Sequence, residues 1–182
     1  LKKRQLMLSQ QLFPLMEVPN ILAALMAGQV DAGPLSPPTN VRARKAGFFE
    51  LVNLGRDGPE YAGITLGSTR SYIRTNEEIA RRVIRSYAEA VHLLKTDKTV
   101  GMRVIQKYTR VKDPEILAGT YGESRDYLES VPYVSRKGLE MILAELGEKD
   151  LKARQAKPED FLDMRFVAEL EREGFFKKLR EK

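Results

Sequence analysis

Residues 28–39 read GQVDAGPLSPPT. An apolar run with helical spacing stops at Gly28, a short piece VDAGPLS follows, and Ser36 is succeeded directly by Pro37 and Pro38. Glycine tolerates the left-handed backbone that closes a helix, and proline fits the first turn of one, where its missing N–H is not needed. The stretch therefore reads as a helix end, a strand and a second helix start. Upstream, Pro19 suits a helix start, and Ile21, Leu22, Leu25 and Met26 recur at helical spacing. Downstream, PPTNVRARKAG predicts a helix closed by Gly47, and FFELVNLG is an apolar strand candidate. The order helix, strand, helix, strand with short connections predicts α/β units whose strands lie side by side in a covered sheet. RDGPEY is a turn, and AGITLGSTR reads as a further strand or an extended crossing segment.

Beyond Arg70 the pattern turns helical. Thr75 and Glu78 form a capping-box pattern, and Ile79, Val83, Tyr87, Val91 and Leu94 recur every three to four residues, which predicts a helix over 76–95. Further helices are predicted over 99–108, over 114–129 behind Asp113-Pro114, over 136–147 behind Ser135, and over 163–173 closed by Gly174. Residues 1–17 show neither alternation nor a helical period, and Pro14 breaks either element. The chain thus divides into an atypical segment 1–17, an α/β part 18–60, and a part 61–182 made of a crossing strand and helices.

Composition narrows the function. With 42% hydrophobic and 31% charged residues the 182-residue chain has the make-up of a soluble globular protein with a real core. No run approaches the roughly 18 apolar residues of a membrane span, and these residues contain no export signal. The absence of cysteine excludes disulfides, thiol catalysis and thiolate metal sites. The net charge of +6 is spread out: Arg42, Arg44 and Lys45 lie far from Arg81, Arg82 and Arg85, and acidic residues interrupt the basic C-terminal run. No basic motif interleaved with aromatics appears, so a nucleic-acid partner is not expected, whereas a small anionic ligand fits the charge.

Catalytic motifs are missing from the sequence. His92 is the only histidine, stands one position past the apolar stripe of its helix, and pairs with no serine on a sharp turn, so no enzyme is expected. GRDGPEYAGITLG lacks the lysine and hydroxyl of a phosphate loop. Glu145, Glu148 and Asp150 have neither calcium-loop spacing nor a histidine nearby, and read as a solvated face; neither metal nor cofactor is expected. Tyr87, Tyr108, Tyr121, Tyr127 and Tyr133 read as packing residues rather than a ligand cage. Ser36 is the strongest candidate. In α/β folds ligands bind beyond the carboxyl ends of strands, where helix-start N–H groups and a short hydroxyl meet an anion. Ser36 also suits the N-cap of the next helix, a role worth about 1 kcal/mol.

The run ILAALMAGQVDAGPLSPPTNVRARKAGF, then LVNLG, YAGITLGSTRSYI, NEEIARRVIRSYAEAVHLLKTD and the late AKPEDFLDMRFVAELEREGFF resembles the solute-binding proteins of ABC importers of the nitrate/sulfonate/taurine type, over roughly residues 18–176. The resemblance implies a two-lobed type II periplasmic-binding fold, represented here by an α/β front and a helical back half. It also implies a small anionic or heteroaromatic solute, a membrane permease as partner, and a periplasmic or cell-surface location. Carried over to this sequence, it points to Ser36, Pro37, Pro38 and Thr39 as a ligand-facing loop and to Tyr61 as a further contact, with Asp31 structural. Family members begin with an export signal and a front half contributing most of one lobe. Residues 1–17 do not read like the strand and turn expected there, so the family sequence is expected to start near Val18, the chain being a fragment or a truncated or frameshifted product. Two alternatives accompany this reading: an enzyme of thiamine-pyrimidine synthesis from the same superfamily, disfavoured by the missing cysteines, and a ligand-sensing accessory protein.

Overall fold

The computed structural model describes residues 17–181. The described residues contain eleven α-helices, one 3-10 turn and no β-strand. They fall into two compact units, the first reaching Phe49 and the second beginning at Glu50.

In the first unit α1 (Val18–Met26) and α2 (Thr39–Lys45) pack together. Pro19 sits in the first turn of α1, and Gly28 follows its end with φ of 67°, the left-handed backbone for which glycine was expected there. Leu22, Ala24 and Leu25 are buried on one side, Thr39, Val41 and Ala43 on the other. Gly47 closes α2 in the same way with φ of 92°.

The second unit contains α3 (Leu54–Asp57), α4 (Arg70–Thr75), α5 (Glu77–Thr96), α6 (Lys98–Thr109), α7 (Pro114–Tyr127), α8 (Arg136–Gly147), α9 (Leu151–Gln155), a 3-10 turn (Pro158–Asp160), α10 (Arg165–Arg172) and α11 (Phe175–Arg180). The predicted helices over 76–95, 99–108, 114–129, 136–147 and 163–173 correspond to α5, α6, α7, α8 and α10. Their caps are chemical. Asp113 Oδ1 accepts from Glu115 N (3.0 Å) and Ile116 N (3.2 Å), and Ser135 Oγ accepts from Gly138 N at 3.0 Å. The 76–95 helix starts differently from its capping-box pattern. Thr75 Oγ1 donates back to the carbonyls of Ser71 (3.0 Å) and Tyr72 (3.2 Å), so it closes α4, and Asn76 occupies the cap position of α5.

Two buried clusters hold this unit. Ala88 of α5 packs with Val167 and Leu170 of α10 and with Phe175 and Phe176, whose rings meet edge to face at 5.4 Å. Ile105, Val111, Leu117 and Tyr121 form the second cluster between α6 and α7, with Leu94 from the end of α5 against it. Burial of each large side chain is worth about 1.5–3 kcal/mol. Along the seam of α5 and α10, Arg81 meets Glu169 at 3.1 Å and Arg165 meets Glu77 at 2.6 Å, while both guanidiniums lie over the Phe166 ring, at 5.8 and 5.0 Å.

The α/β expectation is overturned. VDAGPLS, FFELVNLG and AGITLGSTR form no strand, and with them goes the two-lobed type II periplasmic-binding architecture. Residues 48–53 are irregular and lead into the single turn of α3, where Asn53 Oδ1 accepts from Arg56 N at 3.1 Å. The physical reason lies in the hydrogen bonds. A helix satisfies its backbone internally, whereas a strand needs a second extended segment beside it, and the described residues supply none. The apolar side chains of these segments consequently face solvent: Phe49 is 91% exposed, Leu51 83% and Ile64 72%. The reading of segment 1–17 lies outside the described residues except for Glu17, which precedes α1.

Candidate functional site

Ser36, Pro37, Pro38 and Thr39 form one tight turn in the first unit. The Pro37–Pro38 peptide is cis, and the Ser36 carbonyl accepts from Thr39 N (2.8 Å) and Asn40 N (3.2 Å), so the turn feeds directly into α2. The helix begins at Thr39, with Pro38 at the cap position and no side-chain cap bond. The expected capping role of the Ser36 hydroxyl is therefore taken over by its carbonyl. Ser36 and Pro37 are exposed, Pro38 is half-buried, and Thr39 is buried. The exposed hydroxyl of Ser36 forms no hydrogen bond among the described residues. Asp31, expected to fix a strand start, is exposed on an irregular stretch.

Tyr61 belongs to the second unit, on the irregular segment that crosses the start of α8. This crossing is close. A Cβ on Gly138 would stand 2.7 Å from Ala62 N and 3.0 Å from Tyr61 C, so only glycine lets the two backbones meet. Glu60 anchors the crossing by accepting from the Ser135 hydroxyl, which itself caps α8, and by pairing with Lys137 Nζ at 3.8 Å. Near Tyr61 the fold places Tyr127, which was read from sequence as a packing residue. A Cβ on Gly63 would lie 3.5 Å from Tyr61 Cδ1 and 4.0 Å from Tyr127 Oη, and one on Gly55 would lie 3.7 Å from Tyr127 Cδ2. Burial first, and the Tyr127 phenol second, push the Tyr87 phenol of α5 above the ordinary tyrosine value. Tyr61 and Tyr127 are 52% and 51% exposed, leaving about half of each residue open to solvent. No one-dimensional signal links positions 61 and 127. The glycines at 55 and 63 are the only local hint.

The remaining candidates have structural surroundings. His92 is half-buried beside Glu89, Thr96, Leu179 and Arg180, and its carbonyl accepts from Thr96 Oγ1 at 2.9 Å. Asp150 caps α9 by accepting from Lys152 N at 2.8 Å. An open crevice of about 310 Å³ at the joint of α8 and α9 is lined mainly by Leu143, Ala144, Ala153, Ala156 and Pro158. Among the described residues no histidine, aspartate or glutamate cluster could hold a metal ion.

Compared with protein-family models, with characterised proteins and with solved structures, the chain matches none.

Proposed function

We propose that the protein is the solute-binding component of an ABC importer, capturing a small anionic or heteroaromatic molecule and delivering it to a membrane permease at the periplasmic or cell-surface side. The observation that carries this reading is the ordered resemblance of five separate segments across roughly residues 18–176. Two features support it. Ser36 presents an exposed hydroxyl, free of partners among the described residues, at the turn into α2. The net charge of +6 draws small anions toward the surface. In this reading the protein binds and releases its solute unchanged.

A thermal-shift screen of the full chain against nitrate, small sulfonates, pyrimidines and aromatic carboxylates tests the proposal. A ligand that binds the folded state raises Tm by mass action, by about 2.7 kcal/mol of stability at a hundredfold excess over Kd. One of these classes is expected to raise Tm, and Ser36→Ala to diminish the shift. A flat response to all four overturns the proposal, and an undiminished shift in the variant removes Ser36 from the site.

A further inference from the structure

We infer that the exposed apolar stripe of α5 is a self-association surface, on which a second copy of the chain lays the same helix antiparallel about a two-fold axis. The inference goes beyond the proposed solute-binding role and does not depend on it.

The stripe follows from spacing. Ile79, Val83, Ser86, Ala90 and Leu93 succeed one another at intervals of four, three, four and three residues, the repeat that keeps a seam on one side of a helix. At about 100° per residue they lie within about 40° of one line along α5, a line about 21 Å long. Ala88 and Ile84 occupy a different face, the one packed against Val167, Leu170, Phe175 and Phe176. The stripe itself is uncovered: Ile79 is 48% exposed, Val83 49% and Leu93 46%, and Ser86 and Ala90 are exposed as well. A helix with a single apolar neighbour carries polar residues on its outer side. On α5 the charges Glu78, Arg82, Arg85 and Glu89 gather on one flank instead, and leave this second apolar line open to solvent.

Charge along that flank selects the occupant and its direction. Arg82 and Glu89 stand one place before Val83 and Ala90, on the same edge of the stripe. When two copies cross antiparallel with Ser86 facing Ser86, Ile79 meets Leu93 of the second copy and Val83 meets its Ala90. Arg82 then comes opposite Glu89 twice, once from each copy, because edge residues of this kind pair across an antiparallel seam and set its orientation. In a parallel pair the same edge faces Tyr87 and Leu94, and neither charge meets an opposite one. The small Ser86 and Ala90 also let the two axes approach in the middle of the seam.

Both charges change partner with little loss. Arg82 pairs with Glu78 at 3.0 Å and Glu89 with Arg85 at 3.3 Å, in exposed pairs one helical turn apart that contribute little to the monomer. On release Glu78 keeps Arg81 at 3.0 Å, and the Arg85 guanidinium keeps the Phe175 ring at 4.8 Å. A single helix pair of this length lies at the small end of protein interfaces, which makes the dimer weak and reversible, with a Kd on the order of 10–100 µM.

Sedimentation equilibrium of the full chain at neutral pH, from about 5 to about 500 µM, tests the inference across the Kd range expected of a small interface. A monomer–dimer equilibrium is expected. Val83→Glu puts a charge into the seam at a residue half exposed in the monomer, and should weaken the dimer at least about tenfold. R82E and E89R each set like charges opposite one another and should weaken it severalfold, whereas the double variant reverses both pairs and should recover the parent affinity to within about twofold. Tyr108→Glu, on a tyrosine 76% exposed on α6, should leave it unchanged. Helical circular dichroism identical to the parent confirms that the variants fold. A chain that stays monomeric throughout the range, association untouched by folded Val83→Glu, or a double variant no tighter than either single one overturns the inference.

Discussion

Residues 77–181 and residues 48–69 carry comparable apolar content, yet the protein treats them in opposite ways. In the first region Ala88, Val91, Ile105, Leu117, Phe166 and Leu170 are buried; in the second Phe49, Leu51, Val52, Leu54, Ile64 and Leu66 are all more than half exposed. The difference follows from what each backbone demands. An amphipathic helix completes its own hydrogen bonds and needs contact along one stripe only, which a neighbouring helix supplies. An extended apolar segment needs both a hydrogen-bonding neighbour and a covering layer, and none of the described residues provides the former.

This contrast can be broken by substitution. Phe176→Ala empties part of the α5, α10 and α11 cluster, where Phe176 is 5% exposed, and is expected to cost about 3–5 kcal/mol, read as a lower urea midpoint. Gly101→Ala comes next. Alanine is the better helix former by about 0.8–1.0 kcal/mol, but its Cβ would stand 2.6 Å from Tyr121 Cε2 and 3.2 Å from the Leu94 carbonyl. Tyr121 is itself buried in the α6–α7 cluster, so a net loss of about 1–3 kcal/mol is expected by thermal denaturation. A gain in stability would show that this packing is looser than the contacts imply.

Asp113→Ala removes the acceptor of two first-turn N–H groups of α7 and should cost about 1 kcal/mol, with Asp113→Asn recovering most of it. A smaller effect is expected at Glu78. Arg82 first and Arg81 second hold its carboxyl below the ordinary value of 4.5. A depressed folded value contributes stability above that ordinary value and loses it as pH falls through the depressed one. The parent should therefore lose slightly more Tm between neutral and acid pH than Glu78→Gln does, and the difference should shrink in high salt because the pair is exposed. The smallest effect belongs to the other region. Leu51→Ala, at 83% exposure, is expected to stay within about 0.5 kcal/mol of the parent. A large loss there would mean that something covers the segment in solution.

Legibility in the sequence followed the same division. Helices α5 to α8 and α10 were readable because capping chemistry and apolar spacing are local, as at Asp113-Pro114 and Ser135. Gly28, Gly47 and Gly174 were readable because all three adopt a positive φ that glycine tolerates best. The strand readings failed because alternation and apolar runs state which residues could share a face, without stating whether a partner exists. At the candidate sites, Ser36 to Thr39 was visible as punctuation, but the exchange of roles, in which the Ser36 carbonyl rather than its hydroxyl serves α2, depends on the turn geometry. Tyr127 was classed as packing because nothing in a linear chain brings positions 61 and 127 together.

By itself the sequence determined α1, α2, α5 to α8 and α10, the caps at Asp113 and Ser135, and the closing glycines, because these depend on groups within about one turn of one another. Only the tertiary structure decided the absence of a sheet among the described residues and the meeting of Tyr61 and Tyr127 beside Gly63. Both depend on which distant segments become neighbours, and that is settled by backbone pairing and burial across the chain, which local spacing does not encode.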